Sequence, residues 1–165
     1  MRILGIDPGL ATMGWGVIET ERGDSRYISC GIVSTAANMP FPERLLSIRT
    51  QLREILEEYA PDEIVFEELF FFRNVTTAFT VGAARGVAIA VCADFAPDNL
   101  YEYTPMQIKQ AVVGYGHAEK QQVQQMVKMI LHLNDIPRPD DAADAVATAI
   151  THANAGRARF QFKMK

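Results

Sequence analysis

Four acidic side chains lie at widely separated points of the chain, each where a carboxylate needs a reason. Asp7 sits in Gly5-Ile6-Asp7-Pro8-Gly9, Glu67 ends the run Glu63-Ile64-Val65-Phe66-Glu67, and Asp141 and Asp144 open Asp141-Ala142-Ala143-Asp144-Ala145. Asp7 and Glu67 close apolar runs that read as buried strands, where an unpaired ionised acid is destabilising by several kcal/mol. A hard divalent cation offsets that cost, because carboxylate oxygens are its preferred ligands. An acid cluster holding two such ions about 3.5–4 Å apart can activate a water and stabilise a leaving oxygen, which is the chemistry of phosphodiester cleavage.

Each acid also has a simpler reading. Asp before Pro-Gly is ordinary turn chemistry. Glu67 and Glu68 are consecutive, so strand alternation sends one to each face and spacing does not say which. Asp140, Asp141 and Asp144 fall in the first turn of a helix after Pro137 and Pro139, where Asp140 and Asp141 serve as caps for free amides. Asp144 lies one turn from both, so Asp141 with Asp144 and Asp140 with Asp144 satisfy the same geometry. The joint occurrence of a strand-end Asp, a strand-end Glu and a helical Asp pair in one short chain favours the metal reading.

Other residues carry weaker signals. Phe70, Phe71 and Phe72 precede Arg73, and three consecutive rings in an extended segment cannot all face one core, so one is expected to be exposed beside Glu67. Such a ring can stack on an unpaired base, worth roughly 1–3 kcal/mol. Lys109 and Lys120 are sparse cations that would by default be solvated helix lysines. Arg73 and Arg85 are further candidates for phosphate contact. Gly114-Tyr115-Gly116 suggests a dinucleotide loop, but Glu119 stands where the third glycine of that fingerprint belongs, which excludes it. His117, His132 and His152 have neither metal-ligand nor triad spacing and are expected to be structural or superficial.

The elements that must position these groups follow from periodicity. Residues 2–7, 14–19 and 27–34 read as three strands in a meander, separated by Pro8-Gly9 and by a polar turn from Glu21 to Ser25. Leu45, Ile48, Leu52, Ile55, Leu56 and Tyr59 recur at helical spacing until Ala60-Pro61, and Glu63–Glu67 is a short buried strand. A helix from about Asn74 to Asp94 is rich in small residues, a face that admits close approach of another helix. Leu100–Tyr103 makes a fifth strand, Thr104 starts a short helix, and 118–133 and 140–154 form two more. Strands followed by alternating helices and strands indicate an α/β class with a five-stranded mixed sheet flanked by helices.

With 165 residues, 48% of them hydrophobic, the chain suits a single domain over 1–165 with no need of disulfides. Cys30 and Cys92 have no metal spacing around them, the N-terminal Met-Arg-Ile-Leu-Gly has no secretory apolar region, and a cytoplasmic, reducing setting is expected. Charge or glycine interrupts every apolar stretch well before 18 residues, so no membrane span is expected. The net charge of −4 hides an asymmetry: four of the 16 Lys and Arg residues follow Gly156 and none of the 20 acids does, so residues 1–155 carry 12 basic against 20 acidic groups, a net −8. Cations bound by the acids would invert the local field and let phosphate approach. The short basic tail from about residue 156 is expected to be solvated.

Several of these segments, in this order, resemble the RuvC family of Holliday junction resolvases: Gly5-Ile6-Asp7-Pro8-Gly9, the Glu67 strand followed by Phe70, Ala84-Arg85-Gly86-Val87-Ala88, Lys109-Gln110-Ala111-Val112-Val113-Gly114 with Ala118-Glu119-Lys120, and Asp141-Ala142-Ala143-Asp144-Ala145. The resemblance covers nearly the whole chain. It implies a ribonuclease H-like fold, a homodimer, dependence on Mg2+ or Mn2+ with two ions per site, and paired nicks that leave 5′-phosphate ends in a four-way DNA junction. It also implies that Glu67 rather than Glu68 and Asp141 rather than Asp140 are catalytic, with Asp7 and Asp144, and that Phe70, Lys109 and Lys120 meet DNA. A branch-migration complex of RuvA with RuvB is the implied partner. Two other classes compete. A sugar-kinase or actin-like nucleotide binder is suggested by Gly14-Trp15-Gly16 after Asp7, yet such proteins use two domains. A catalytically silent junction-binding module would be expected to have lost at least one of the four acids.

Overall fold

A computed structural model describes residues 1–69 and 75–165, with the backbone alone at Val75 and Thr76. Strands β1 (Arg2–Asp7), β2 (Thr12–Glu21) and β3 (Asp24–Ser34) form the meander, helix α1 (Phe41–Tyr59) crosses to β4 (Glu63–Glu67), and α2 (Val75–Phe95) crosses to β5 (Leu100–Tyr103). Helices α3 (Pro105–Val113), α4 (Lys120–Ile130) and α5 (Asp140–Asn154) follow, and a 3₁₀ helix covers Gly156–Phe162. The sheet order is β3-β2-β1-β4-β5, antiparallel through the meander and parallel from β1 to β4 to β5. This is the expected five-stranded mixed sheet.

Alternation along the strands makes two cores. Leu4, Ile6, Ile64 and Phe66 pack with α1 and α2, while Ile3, Val65, Tyr101 and Tyr103 pack with α3, α4 and α5 on the other face. Asp7 and Glu67 continue the second series, so both turn toward α5. The register that pairs Ile6 with Phe66 brings these two strand ends side by side.

Helix α5 lies on β1 and β2 without a spacing layer of side chains. A Cβ on Gly5 would meet the Ala145 carbonyl and, at 2.9 Å, the Ala149 nitrogen; one on Gly14 would meet the Asp141 carbonyl; one on Gly16 would lie 2.9 Å from the Val146 nitrogen. Gly5 pairs with Gly16 and Asp7 with Gly14, so the helix crosses two rungs of the same face, separated by the Ile6–Trp15 pair. Every α5 residue from Ala145 to His152 is buried.

Three details differ from the sequence expectations. The second and third strands extend to a two-residue turn, Arg22-Gly23, whose φ values of 54° and 96° suit the twist of a tight hairpin. The basic C-terminal segment is not a solvated tail: after the 3₁₀ helix, Lys163 pairs opposite Tyr101 and the Met164 amide donates to the Leu100 carbonyl at 2.9 Å, covering the open edge of β5. Helix α2 is long and apolar enough, by length and composition, to cross a membrane, because Arg85 and Asp94 are too few to interrupt it. Its stripe of Ala84, Ala88 and Cys92 is nonetheless buried within the core that α1 shares.

The glycine contacts carry a stability prediction. Gly5→Ala forces a backbone shift of α5 and is expected to cost about 1–3 kcal/mol or more, read as a lower urea midpoint. An unchanged midpoint would contradict the contact.

Candidate functional site

Strand ends and a helix start meet at one corner of the sheet. Oxygens of Asp7, Asp141 and Asp144 all lie within 4.8 Å of one another. Asp141 reaches this position because its own carbonyl rests over Gly14, the residue paired with Asp7, and Asp144 follows one turn later on the same helix face. Glu67 stands outside that tight triad but raises the Asp7 carboxyl by its charge, and it shares a cavity of about 220 Å³ with Lys109, Lys120 and Asp144. Glu68 is exposed.

Asp140 and Asp141 part company at the helix start. The Thr12 hydroxyl donates to Asp141 Oδ2 at 2.6 Å, which orients that carboxylate. Asp140 instead accepts from Arg138 at 2.6 Å and lies 3.9 Å from the Lys120 ammonium. Thr12 went unremarked in the sequence: nothing local links it to an acid 129 residues away. Lys120, the first residue of α4, donates to Asp144 Oδ2 at 2.7 Å, so its ammonium is tied to the acid group although the side chain stays half exposed.

Burial and mutual repulsion set the protonation of these groups. Asp7 is pushed up to about 8, chiefly by desolvation and then by the charges of Glu67, Asp144 and Asp141, with Lys120 opposing. Glu67 rises to about 7 through desolvation and Asp144, opposed by Lys120 and Lys109. Desolvation also lifts Asp144 despite its hydrogen bond from Lys120. Burial alone would lower the Lys120 ammonium, but the hydrogen bond and charge of Asp144 outweigh it and the group is held above its ordinary value. So many desolvated carboxylates against one inserted ammonium leave the corner short of positive charge, and an all-oxygen donor set of this kind fits a hard divalent cation.

The remaining candidates are placed differently. Arg85 is engaged inside the fold, paired with Glu102 at 2.6 Å and 6.0 Å from the Phe66 ring. Phe70 and Arg73, with Phe71 and Phe72, lie outside the described residues. His152 is fully buried at the other end of α5, with Nε2 2.8 Å from Glu63 and Nδ1 3.0 Å from the Tyr103 hydroxyl. Only the Nε2–H tautomer satisfies both, donating to Glu63 and accepting from Tyr103. Desolvation lowers its pKa, so it is neutral, and Arg159 completes the pairing of Glu63 at 3.1 Å. This network holds the 3₁₀ segment to the sheet, far along β4 from Glu67.

Known proteins resemble this chain along nearly its whole length. Residues 3–152 match the family model for crossover junction endodeoxyribonuclease RuvC. The chain is 55% identical over 153 residues to the RuvC enzyme of Brevibacillus brevis, covering 93% of this chain and 92% of that one. It is 50% identical to the RuvC enzyme of Alkaliphilus metalliredigens over the full length of both. Among solved structures, Thermus thermophilus RuvC in complex with a Holliday junction substrate superposes with a TM-score of 0.89 at 38% identity, over 98% of this chain and 96% of that one. The yeast mitochondrial Holliday junction resolvase shares the fold, with a TM-score of 0.66 at 14% identity.

The raised acids predict a pH dependence. Without a bound cation, the fold retains protons on Asp7 and Glu67 that the unfolded chain has released, between about pH 4 and pH 8, so its stability falls as pH rises through that window. Asp7→Asn is expected to be more stable than the parent by at least about 1 kcal/mol at pH 8 in chelator, the difference fading toward pH 4. Urea unfolding at both ends of the range checks this; a parent as stable as the variant at pH 8 would contradict it.

Proposed function

The chain belongs to the RuvC family of crossover junction endodeoxyribonucleases, and from that premise we propose that Asp7, Glu67, Asp141 and Asp144 are its catalytic acids and hold two Mg2+ ions, with Mn2+ able to substitute. The enzyme is a nuclease acting on DNA junctions in recombination and repair. The observation that carries the site assignment is the approach of the Asp7, Asp141 and Asp144 oxygens to within 4.8 Å of one another. When bound, the ions lower the pKa of an attacking water and neutralise charge on the phosphate and leaving oxygen.

The chain's own groups divide the remaining work. Asp7 and Glu67, protonated to a large extent near neutrality while no cation is present, give up those protons when they become ligands. Thr12 fixes the Asp141 carboxylate through its hydroxyl, and the helix seat over Gly14 fixes the backbone that carries it. Lys120 neutralises Asp144 in the free protein and is placed to transfer its ammonium to a phosphate oxygen, with Lys109 on the same cavity wall. Phe70 is proposed to stack on an unpaired junction base, and Arg73 to meet the backbone. Arg85 is the weakest of the DNA-binding candidates, because Glu102 holds its guanidinium and its side chain is only 19% exposed.

A four-way junction presents two equivalent scissile strands, so we propose a two-fold homodimer in which each subunit supplies one site. The outward side of α2 supports this: Phe79 is 75% exposed, and a Cβ at Gly82 or Gly86 would have no neighbour within 4 Å. A cytoplasmic bacterial setting and work beside a RuvA–RuvB branch-migration complex complete the reading. The nucleotide-binder alternative is disfavoured, because Gly14 and Gly16 are taken up by α5 and leave no space for a phosphate on that side of the sheet.

The decisive assay compares cleavage of a mobile four-way junction with that of a linear duplex of the same sequence in Mg2+. Symmetric nicks in the junction alone, lost in Asp7→Asn with binding retained, are expected; loss of binding together with cleavage would overturn the metal-site role of Asp7. Phe79→Glu is expected to shift the protein from dimer to monomer in light scattering, and a variant that remains dimeric would remove α2 from the interface.

A further inference from the structure

A second depression adjoins the acid corner. It is a groove of about 840 Å³ between α4 and the loop leading into α5, and Lys120 forms part of both its wall and that of the Glu67 cavity. The groove therefore adjoins the site, with Lys120 between the two. Gln121, Gln124 and Gln125 line one side and Arg138 the other. Asp140 is the single acid among its described lining residues, and that carboxylate is already held by Arg138. In a body whose first 155 residues carry a net −8, a wall of side-chain amides whose two cations, Lys120 and Arg138, are paired with Asp144 and Asp140 is locally near neutral.

Gln124 gives a second, independent indication. It is only 6% exposed, and its Nε2 donor has no hydrogen-bond partner. Burying an amide donor unpaired costs about 1–3 kcal/mol, and because that nitrogen is itself shielded from solvent, the side chain has to turn into the groove to meet an acceptor brought from outside. No aromatic ring is among the described lining residues, which removes the usual platform for stacking a base. Amide and guanidinium donors match phosphate oxygens, which accept and do not donate.

We propose that this groove carries the phosphodiester backbone of the DNA strand as it leaves the scissile position, with Arg138 and the glutamine side of α4 as its contacts. The inference rests on the nuclease reading above and adds a path for the strand. Lys120 then stands at the junction of the two compartments, between the phosphate being cut and those beyond it.

The test measures binding of a fluorescent four-way junction by anisotropy across a KCl series, in the Asp7→Asn background so that the DNA stays whole. Gln121→Glu with Gln125→Glu places two carboxylates on exposed groove positions of α4, and Arg138→Gln removes one cation. The double glutamate variant is expected to weaken binding roughly threefold or more, and Arg138→Gln to flatten the plot of log affinity against log salt by about 0.9, the slope of one lost phosphate contact. Variants that keep the parent's affinity and slope, with unchanged melting temperature, would overturn the groove and leave the nuclease reading intact. A parent that binds no junction would overturn both.

Discussion

The site depends on a contact between backbones. Helix α5 can lie against β1 and β2 only because Gly5, Gly14 and Gly16 present no side chain to it. That absence lets the Asp141 carbonyl rest over Gly14, the cross-strand partner of Asp7, and so brings an aspartate-bearing helix to the end of a strand that carries another acid. With a methyl group at any of these positions the helix would have to lift, and the oxygens of Asp7, Asp141 and Asp144 would separate. Close packing at this point is what turns four distant residues into one site.

The two ends of α5 have opposite electrostatics. At the C-terminal end, Glu63 on β4 accepts from His152 and Arg159, and His152 accepts in turn from Tyr103, so each buried polar group has a partner. At the N-terminal end, Glu67 on the same strand meets Asp144 and Asp7 with only lysines to oppose them. Val65, between the two acids, packs into the core that α5 shares. One end of this strand and helix pair is satisfied within the fold and secures the C-terminal segment; the other is crowded with acids that hold protons near neutrality instead of finding partners. The difference between them supports the proposal that the acid-rich end is the functional one.

Much of this was legible beforehand. Asp7 and Glu67 at strand ends, and the sheet of five strands, follow from apolar runs bounded by turn residues, which is local information. What could not be read was set by distance along the chain. Helical spacing allows Asp140 or Asp141 to accompany Asp144; Thr12 and Arg138 separate them, and Thr12 lies 129 residues from its partner. His152 has no informative spacing because Glu63 is 89 residues away. Gly14 and Gly16 suggested a phosphate loop when read locally, whereas their positions on one strand face, paired with β1, show them to be a seat for a helix. The basic tail looked solvated because its hydrogen-bonding partner, the edge of β5, is invisible in its own composition.

The central claim is that burial and crowding hold protons on these acids until a cation replaces them. It is tested most directly by calorimetric titration of Mn2+ at pH 7 in buffers of different ionisation enthalpy, which counts the protons released on binding. The account predicts saturable binding with release of about one proton per site, sharply reduced in Asp7→Asn. Binding with no proton release would show that Asp7 and Glu67 are already ionised, and equal release from the variant would show that the protons do not come from Asp7; either result would overturn this reading.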